Sequence, residues 1–425
     1  MTRPATSTIH CDLEGRITFV SEGAEEVFGY PASELVDVDR VSFFSPGLVV
    51  LEHVPRWLKT SVAAGHFETD TVFIRKDGSH FAAHIRITPI VKDGDHTGYV
   101  GLTTSLDRQP VLDAMPAISP ITRLASWLFI VRAPFLSVTI VAVLIGALAA
   151  PLLAPGTNLN LGLLLVTLLG ASLAHLGANT TNDYFDWRSG VDDRNNDYVA
   201  PYSGGSWMIQ LGVISPSTML KVSVSLYALA AGIALYLVAA VGIAPQLLAL
   251  ALAGAAIGVL YSAPPVRLAS RGIGELSIAL AFGLLLVAGS TLVQTGTFES
   301  RALLAGIPTG LLTACIIWVN QFPDAVSDAA GGKRTLVVRL NLAKSRFVYV
   351  ALWVLSELAL AALVISKVLP IQALLALASV PMGAYLTVLL FQRYRSRDIK
   401  AVMAGTINLH LASGALTCLG LWLAI

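Results

Sequence analysis

The sequence predicts a multi-pass all-α membrane protein of nine transmembrane helices, preceded by a small soluble α+β domain. Three observations lead there. Hydrophobic residues make up 55% of the chain and charged residues only 13%, against roughly 25% charged in soluble proteins. The depletion is uneven: residues 1–110 are ordinary in polarity, whereas long apolar blocks recur from Trp127 onward. Two acidic runs then sit at the ends of very apolar segments, Asn182–Asp186 and Asn320–Asp328.

In the N-terminal domain, short stretches alternate in polarity as strands do: Arg16–Val20, Thr69–Arg75, His80–Ile90 and Gly98–Ser105, with a helical section from Glu22 to about Ala64. Asp12–Arg16 and Arg75–Ser79 read as hairpin turns. This order, with Phe28-Gly29-Tyr30 and Arg75-Lys76-Asp77-Gly78-Ser79, resembles a PAS domain over residues 1–107. The resemblance implies an antiparallel sheet with helices on one face, a sensory or dimerising role, and so a PAS-mediated homodimer. The identity of any PAS cofactor is open. His53 resembles the haem-ligating histidine of oxygen-sensing relatives, but Gly101 stands where they carry Arg, which disfavours haem. Cys11 is the domain's sole thiol and lies outside any flavin-adduct motif. Residues 108–122, with Pro110, Pro116 and Pro120, read as a linker to a third region, 123–425.

Nine blocks in that region reach the roughly 20 apolar residues that span a bilayer: 127–150, 161–186, 216–241, 244–262, 273–295, 301–325, 345–366, 369–392 and 402–424. One set of loops carries fourteen Lys and Arg, from Arg188 to Lys400, and the other only Arg301 and Lys367. By the positive-inside rule the basic loops, both acidic runs and the N-terminal domain are cytoplasmic, in a multi-pass protein of the cell inner membrane. Met1–Thr8 lacks an apolar core, so no signal peptide is expected. The net charge of +1 argues against a nucleic-acid partner. Cys11, Cys315 and Cys418 form neither a metal spacing nor a disulfide framework.

The acidic runs point to chemistry. On a helix Asn182 and Asp186 share a face, as do Asn320, Asp324 and Asp328. Carboxylates at the edge of lipid are costly unless they meet something positive. Two facing carboxylate stripes suit hard divalent cations that also carry a polyphosphate.

The continuations Asn182–Asp192 and Asn320–Leu336 resemble the UbiA superfamily of intramembrane prenyltransferases, most nearly the naphthoate prenyltransferases of menaquinone synthesis. Arg132, Ser203-Gly204-Gly205-Ser206, Tyr261–Pro265 and Arg271–Glu275 extend the likeness over 125–425. It implies a UbiA-type bundle and Mg2+-dependent transfer from a prenyl diphosphate to an aromatic acceptor such as 1,4-dihydroxy-2-naphthoate. 4-Hydroxybenzoate, chlorophyllide and haem are alternative acceptors, and a PAS-containing membrane sensor without catalysis is the alternative of another class. On this reading Asp186, Asp324 and Asp328 are the first metal ligands, with Asp183 and Asp192 second. Asn182 and Asn320 orient carboxylates or donate to phosphate; Arg132, Arg271, Lys333 and Arg334 are phosphate cations. Ser203 and Gly204 offer backbone N–H groups. Tyr261, Tyr184 and Phe322 are either ring faces for a carbocation or ordinary aromatics of the membrane interface, and His175 lines the site. Pro323 frees the Val319 carbonyl and suggests an unwound helix end. The family usually has Arg where Trp207 stands.

The topology is testable by cysteine labelling. Single cysteines near Pro155 or Lys367 are expected to react with an impermeant reagent from outside, and those near Ser203 or Gly332 only after permeabilisation.

Overall fold

The computed structural model describes residues 5–106, 109–191, 198–199, 201–242 and 244–425. The chain packs as two compact units, one running to Leu128 and including Met208–Ser215, the other formed by Phe129–Trp207 and Pro216–Ile425.

In the first unit, β1 (Thr6–Asp12), β2 (Ile17–Val20), β3 (Phe67–Ile74), β4 (His80–Lys92) and β5 (Asp95–Ser105) form one sheet, ordered β2-β1-β5-β4-β3, with antiparallel pairing throughout. The expected hairpins close as turns, Gly15 N–H donating to Asp12 O at 3.0 Å and Gly78 N–H to Arg75 O at 2.9 Å. β1, which precedes the earliest strand expected from the sequence, lies inside the sheet between β2 and β5. The expected helical section divides into α1 (Gly23–Phe28), α2 (Ala32–Leu35), α3 (Gly47–Glu52) and α4 (Val54–Ala64). Pro31 and Pro46 stand at the N-caps of α2 and α3, where a missing N–H costs nothing. Phe28 packs against Phe44, Phe73 and Phe81, with ring centroids 4.3, 5.6 and 5.6 Å away, so aromatic rings fill the interior.

The proline-rich stretch expected as a linker is partly folded. α5 (Val111–Ala114) and Met115 pack on the sheet. His53 Nε2 lies 3.0 Å from Ala117 O, and Ser119 N–H donates to Glu52 Oε2 at 2.9 Å. His53 therefore ties down the chain that leaves the domain. Burial, reinforced by the neighbouring Asp12 carboxylate, pushes the Cys11 thiol up to about 12. That keeps it protonated and unreactive at neutral pH.

The remaining helices are α6 (Pro120–Ile130), α7 (Leu136–Leu153), α8 (Leu161–Ser189), α9 (Pro216–Val241), α10 (Ala244–Leu260), α11 (Gly274–Ile278), α12 (Leu286–Thr295), α13 (Ser300–Ala305), α14 (Ile307–Ala330), α15 (Leu336–Leu340), α16 (Leu342–Ile365), α17 (Val380–Arg393) and α18 (Lys400–Trp422). Among the described residues eight helical stretches are long and apolar enough to cross a membrane. The fourth expected span, 244–262, folds as α10, 17 residues long and shorter than the others. The first span begins at Ala133 rather than at 127, because Arg132 adopts a left-handed conformation (φ 55°) and separates α6 from α7.

A π-helical segment, Ala279–Leu285, joins α11 to α12. It meets α14 through glycines, as close-packed membrane helices do. A Cβ on Gly283 would lie 2.6 Å from Gly310 Cα and 2.7 Å from Gly306 O. Gly283→Val is therefore expected to cost roughly 1–3 kcal/mol through overpacking, read as a lowered thermal midpoint of the detergent-solubilised full chain.

Candidate active site

The second unit encloses a cavity of about 540 Å³. Along α8 its lining recurs at helical spacing, through Thr167, Ala171, Ala174, His175, Ala178, Asn182 and Asp186. At 1.5 Å per residue this face extends roughly 28 Å. The Thr167 end is walled by apolar residues such as Leu237, Leu247 and Val293, while Asn320, Asp324, Asp328 and Lys333 join Asp186 at the other.

The two predicted stripes meet there. Asn182 Nδ2 donates to Asp186 Oδ2 at 2.9 Å, the i, i+4 contact expected of one helix face, and to Ser262 Oγ at 2.7 Å. Its Oδ1 accepts from Arg132 at 3.3 Å. Lys333 bridges the stripes, with Nζ 3.2 Å from Asp186 Oδ2 and 3.8 Å from Asp328 Oδ1. Asp183 is buried, 3.8 Å from Arg132.

The Ser203–Ser206 loop binds the other two carboxylates. Gly204 N–H donates to Asp324 Oδ2 at 3.0 Å, and Ser206 N–H to Asp183 Oδ2 at 3.2 Å. Gly204 and Gly205 both have positive φ, 72° and 73°, a backbone that other residues adopt only under strain. The Ser203 hydroxyl accepts from Val199 N–H at 2.9 Å and so fixes the loop's start.

Other expected residues are placed differently. Asp192 lies outside the described residues. Arg271 and Arg334 are exposed and do not line the cavity; Arg271 donates to Pro265 O at 2.9 Å. Tyr261 lines the cavity, but Tyr184 and Phe322 do not. Phe322 is two residues, roughly 200° of helix rotation, from Asn320, and packs in the apolar core with Trp318 and Tyr349. The cavity's aromatic walls instead include Phe135 and Phe282, which the sequence reading did not single out. The Arg132 guanidinium lies 5.0 Å from the Phe135 ring centre, and Phe282 meets the His175 ring edge-on at 4.6 Å. His175 Nδ1 is 2.7 Å from Thr139 Oγ1, so the histidine is a fixed lining residue. α14 continues helically through Pro323 to Ala330 in place of the unwound end. Trp207 stacks on Tyr198 at 4.3 Å instead of facing the cavity.

The donors are carboxylate and amide oxygens, although among the described residues no three acidic, His or Cys groups stand close enough together to form a ready-made metal cluster. Among the described residues, Arg132 lies against Asp183, Lys333 lies against Asp186 and Asp328, and Asp324 accepts from the Gly204 N–H. Asp183 Oδ1 and Asn320 Oδ1 are buried without a hydrogen-bond partner. All are oxygen ligands of the kind magnesium takes.

Residues 143–416 match the UbiA prenyltransferase family, and residues 4–106 match a PAS domain. The chain belongs to the UbiA prenyltransferase family. Among its relatives is the 2-carboxy-1,4-naphthoquinone phytyltransferase of Synechocystis, 29% identical over 72% of this chain and 95% of that one. Another is the 1,4-dihydroxy-2-naphthoate octaprenyltransferase of Haemophilus influenzae, 28% identical over 61% of this chain and 84% of that one. A solved UbiA homologue from Archaeoglobus fulgidus, bound to GPP and Mg2+, is 16% identical over 68% of this chain and 98% of its own, with a TM-score of 0.49. This UbiA protein is thus a prenyltransferase embedded in the membrane, which displaces the reading of a sensor without catalysis.

Removing one carboxylate should remove transition-state stabilisation without unfolding the bundle. Asp186→Ala and Asp324→Ala are each expected to lower turnover roughly 10²–10³-fold, with unchanged amounts of protein in membranes. Asp192→Ala is expected to be milder. Near-normal turnover in Asp324→Ala would remove that residue from the site.

Proposed function

We propose that this UbiA protein transfers a polyprenyl group from a prenyl diphosphate to an aromatic acceptor, 1,4-dihydroxy-2-naphthoate, at the cytoplasmic face of the inner membrane, under the influence of its PAS domain. The observation that carries this reading is a single cavity, roughly 28 Å long on the α8 side, with carboxylates and cations at one end and mainly apolar walls toward the other. A molecule with a polyanionic head and a long hydrocarbon tail matches both ends.

Asp186, Asp324, Asp328 and Asp183 would hold magnesium, which supplies neutralisation of charge on the leaving diphosphate. The chain's own groups do the rest. Lys333 and Arg132 lie beside the carboxylates and attract the diphosphate, and Asn182 holds Asp186 in orientation. The allylic C–O bond breaks with its electron pair leaving on pyrophosphate, and the aromatic ring's π electrons form the new C–C bond. The ring then regains aromaticity by losing what that carbon carried, a proton or, from a carboxylated carbon, CO2. Tyr261, Phe135 and Phe282 offer ring faces to the cation, and the apolar wall excludes the water that would quench it. The naphthoate acceptor is favoured by the names of the relatives and by the motif words shared with them.

Membranes containing the full chain, given a mixture of prenyl diphosphates and candidate acceptors, are expected to yield prenylated naphthoate by mass spectrometry. EDTA should abolish the product and excess Mg2+ should restore it. A product from 4-hydroxybenzoate alone would reassign the acceptor; none from any acceptor would overturn the reading.

A further inference from the structure

We infer that Met208–Ser215 is a positioning segment for prenyl transfer, held by the N-terminal domain at Gly47 and setting where the Ser203–Ser206 loop meets the catalytic carboxylates. The inference rests on the prenyl-transfer reading above and names a route by which PAS acts on that site.

Two sets of contacts support it. At one end of the route, Gly204 N–H and Ser206 N–H donate to Asp324 and Asp183, so the loop backbone and the orientation of both carboxylates move together. At the other end, Met208–Ser215 belongs to the N-terminal unit although it lies 80 residues beyond Leu128, where the rest of that unit ends. Met208, Ile209 and Ile214 are buried. Leu211 and Val213 press on the start of α3: a Cβ on Gly47 would stand 2.5 Å from Val213 Cγ2 and 2.9 Å from Leu211 Cβ, and would collide with the Leu211 carbonyl. Gly47 is not in the left-handed region. Close approach of this segment, not backbone conformation, is what demands glycine there.

Little slack separates the two ends. Ser206 and Met208 are two residues apart, at most roughly 7 Å of extended chain. The residue between them is Trp207, with a left-handed backbone (φ 61°), a ring stacked on Tyr198 and an indole N–H buried without an acceptor. A bulky residue in that conformation is strained and persists only where its surroundings hold it. A shift of α3 that moves Met208 therefore reaches Ser206 N–H and Gly204 N–H, and through them Asp183 and Asp324. The PAS domain needs no side chain in the cavity to act on it; its differential grip on one segment suffices to favour one state of the site.

The test uses the full chain in membranes. Gly47→Leu pushes the segment off α3, and a companion variant, Leu211→Ala with Val213→Ala, removes the contact from the other side without crowding the domain. Both are expected to raise the Mg2+ concentration for half-maximal transfer roughly tenfold, as loss of a hydrogen bond to a charged group does, while kcat at saturating Mg2+ falls far less. Hydrogen exchange should quicken at residues 203–207 as well as 208–215. Faster exchange confined to 208–215, with wild-type exchange at 203–207 and a wild-type Mg2+ requirement, would overturn the inference. If Gly47→Leu unfolds the N-terminal domain, the alanine pair decides. If the wild-type chain transfers no prenyl group, the functional reading fails by itself, and exchange at 203–207 decides the coupling.

Discussion

A group of carboxylates at the end of an apolar cavity is the constraint on which this structure depends. Asp186, Asp324 and Asp328 line the cavity where helices otherwise present alanine, glycine and leucine, and Asp183 is buried beside them against Arg132 and Ser206 N–H. Desolvating a carboxylate costs several kcal/mol even after relaxation, so each must be held by something. Asn182, Arg132, Lys333 and the two loop N–H groups do this, and they come from distant parts of the chain: the start of the first span, the end of α8, the loop beyond it and the turn after α14. The bundle has to bring all of them together before the carboxylates are tolerable.

What was legible in the sequence was what depends on local periodicity. Asn182 and Asp186 meet because four residues make about one helical turn, and the same arithmetic put Asn320 and Asp324 on the cavity. Apolar block length located the spans for the same reason. Periodicity also corrects one expectation: Phe322 follows Asn320 too closely to share its face, so its ring belongs to the core. Phe282 was hidden because it lies in a π segment, where the hydrogen-bond step is i to i+5 and an α-helical wheel loses register. Arg271 and Arg334 carry the right charge in the right loops, but direction in a loop is set by tertiary contacts that spacing does not encode.

The N-terminal domain shows the same division. Its hairpins were readable from Asp-Gly and Glu-Gly turn chemistry, whereas the clustering of Phe28, Phe44, Phe73 and Phe81 in its interior was not. The attachment of Met208–Ser215 was not readable. Nothing in that short apolar segment distinguishes a partner in the N-terminal unit from one among the helices around it. The same holds for His53: as a residue type it invites a metal, whereas its ring nitrogen holds the backbone of Ala117.

The shortness of α10 has a physical consequence for the surrounding lipid. Its 17 residues extend roughly 25 Å, less than the ~30 Å of a typical hydrocarbon core. This helix also forms one wall of the cavity, through residues from Leu247 to Gly258. Hydrophobic mismatch of this kind is relieved by local thinning of the bilayer, at a fraction of a kcal/mol per Å. Lipid headgroups beside α10 would then sit nearer the mid-plane than elsewhere around the protein. A membrane-borne substrate arriving there travels a shorter distance through hydrocarbon with its charged head, so the barrier to loading falls where the wall is lowest.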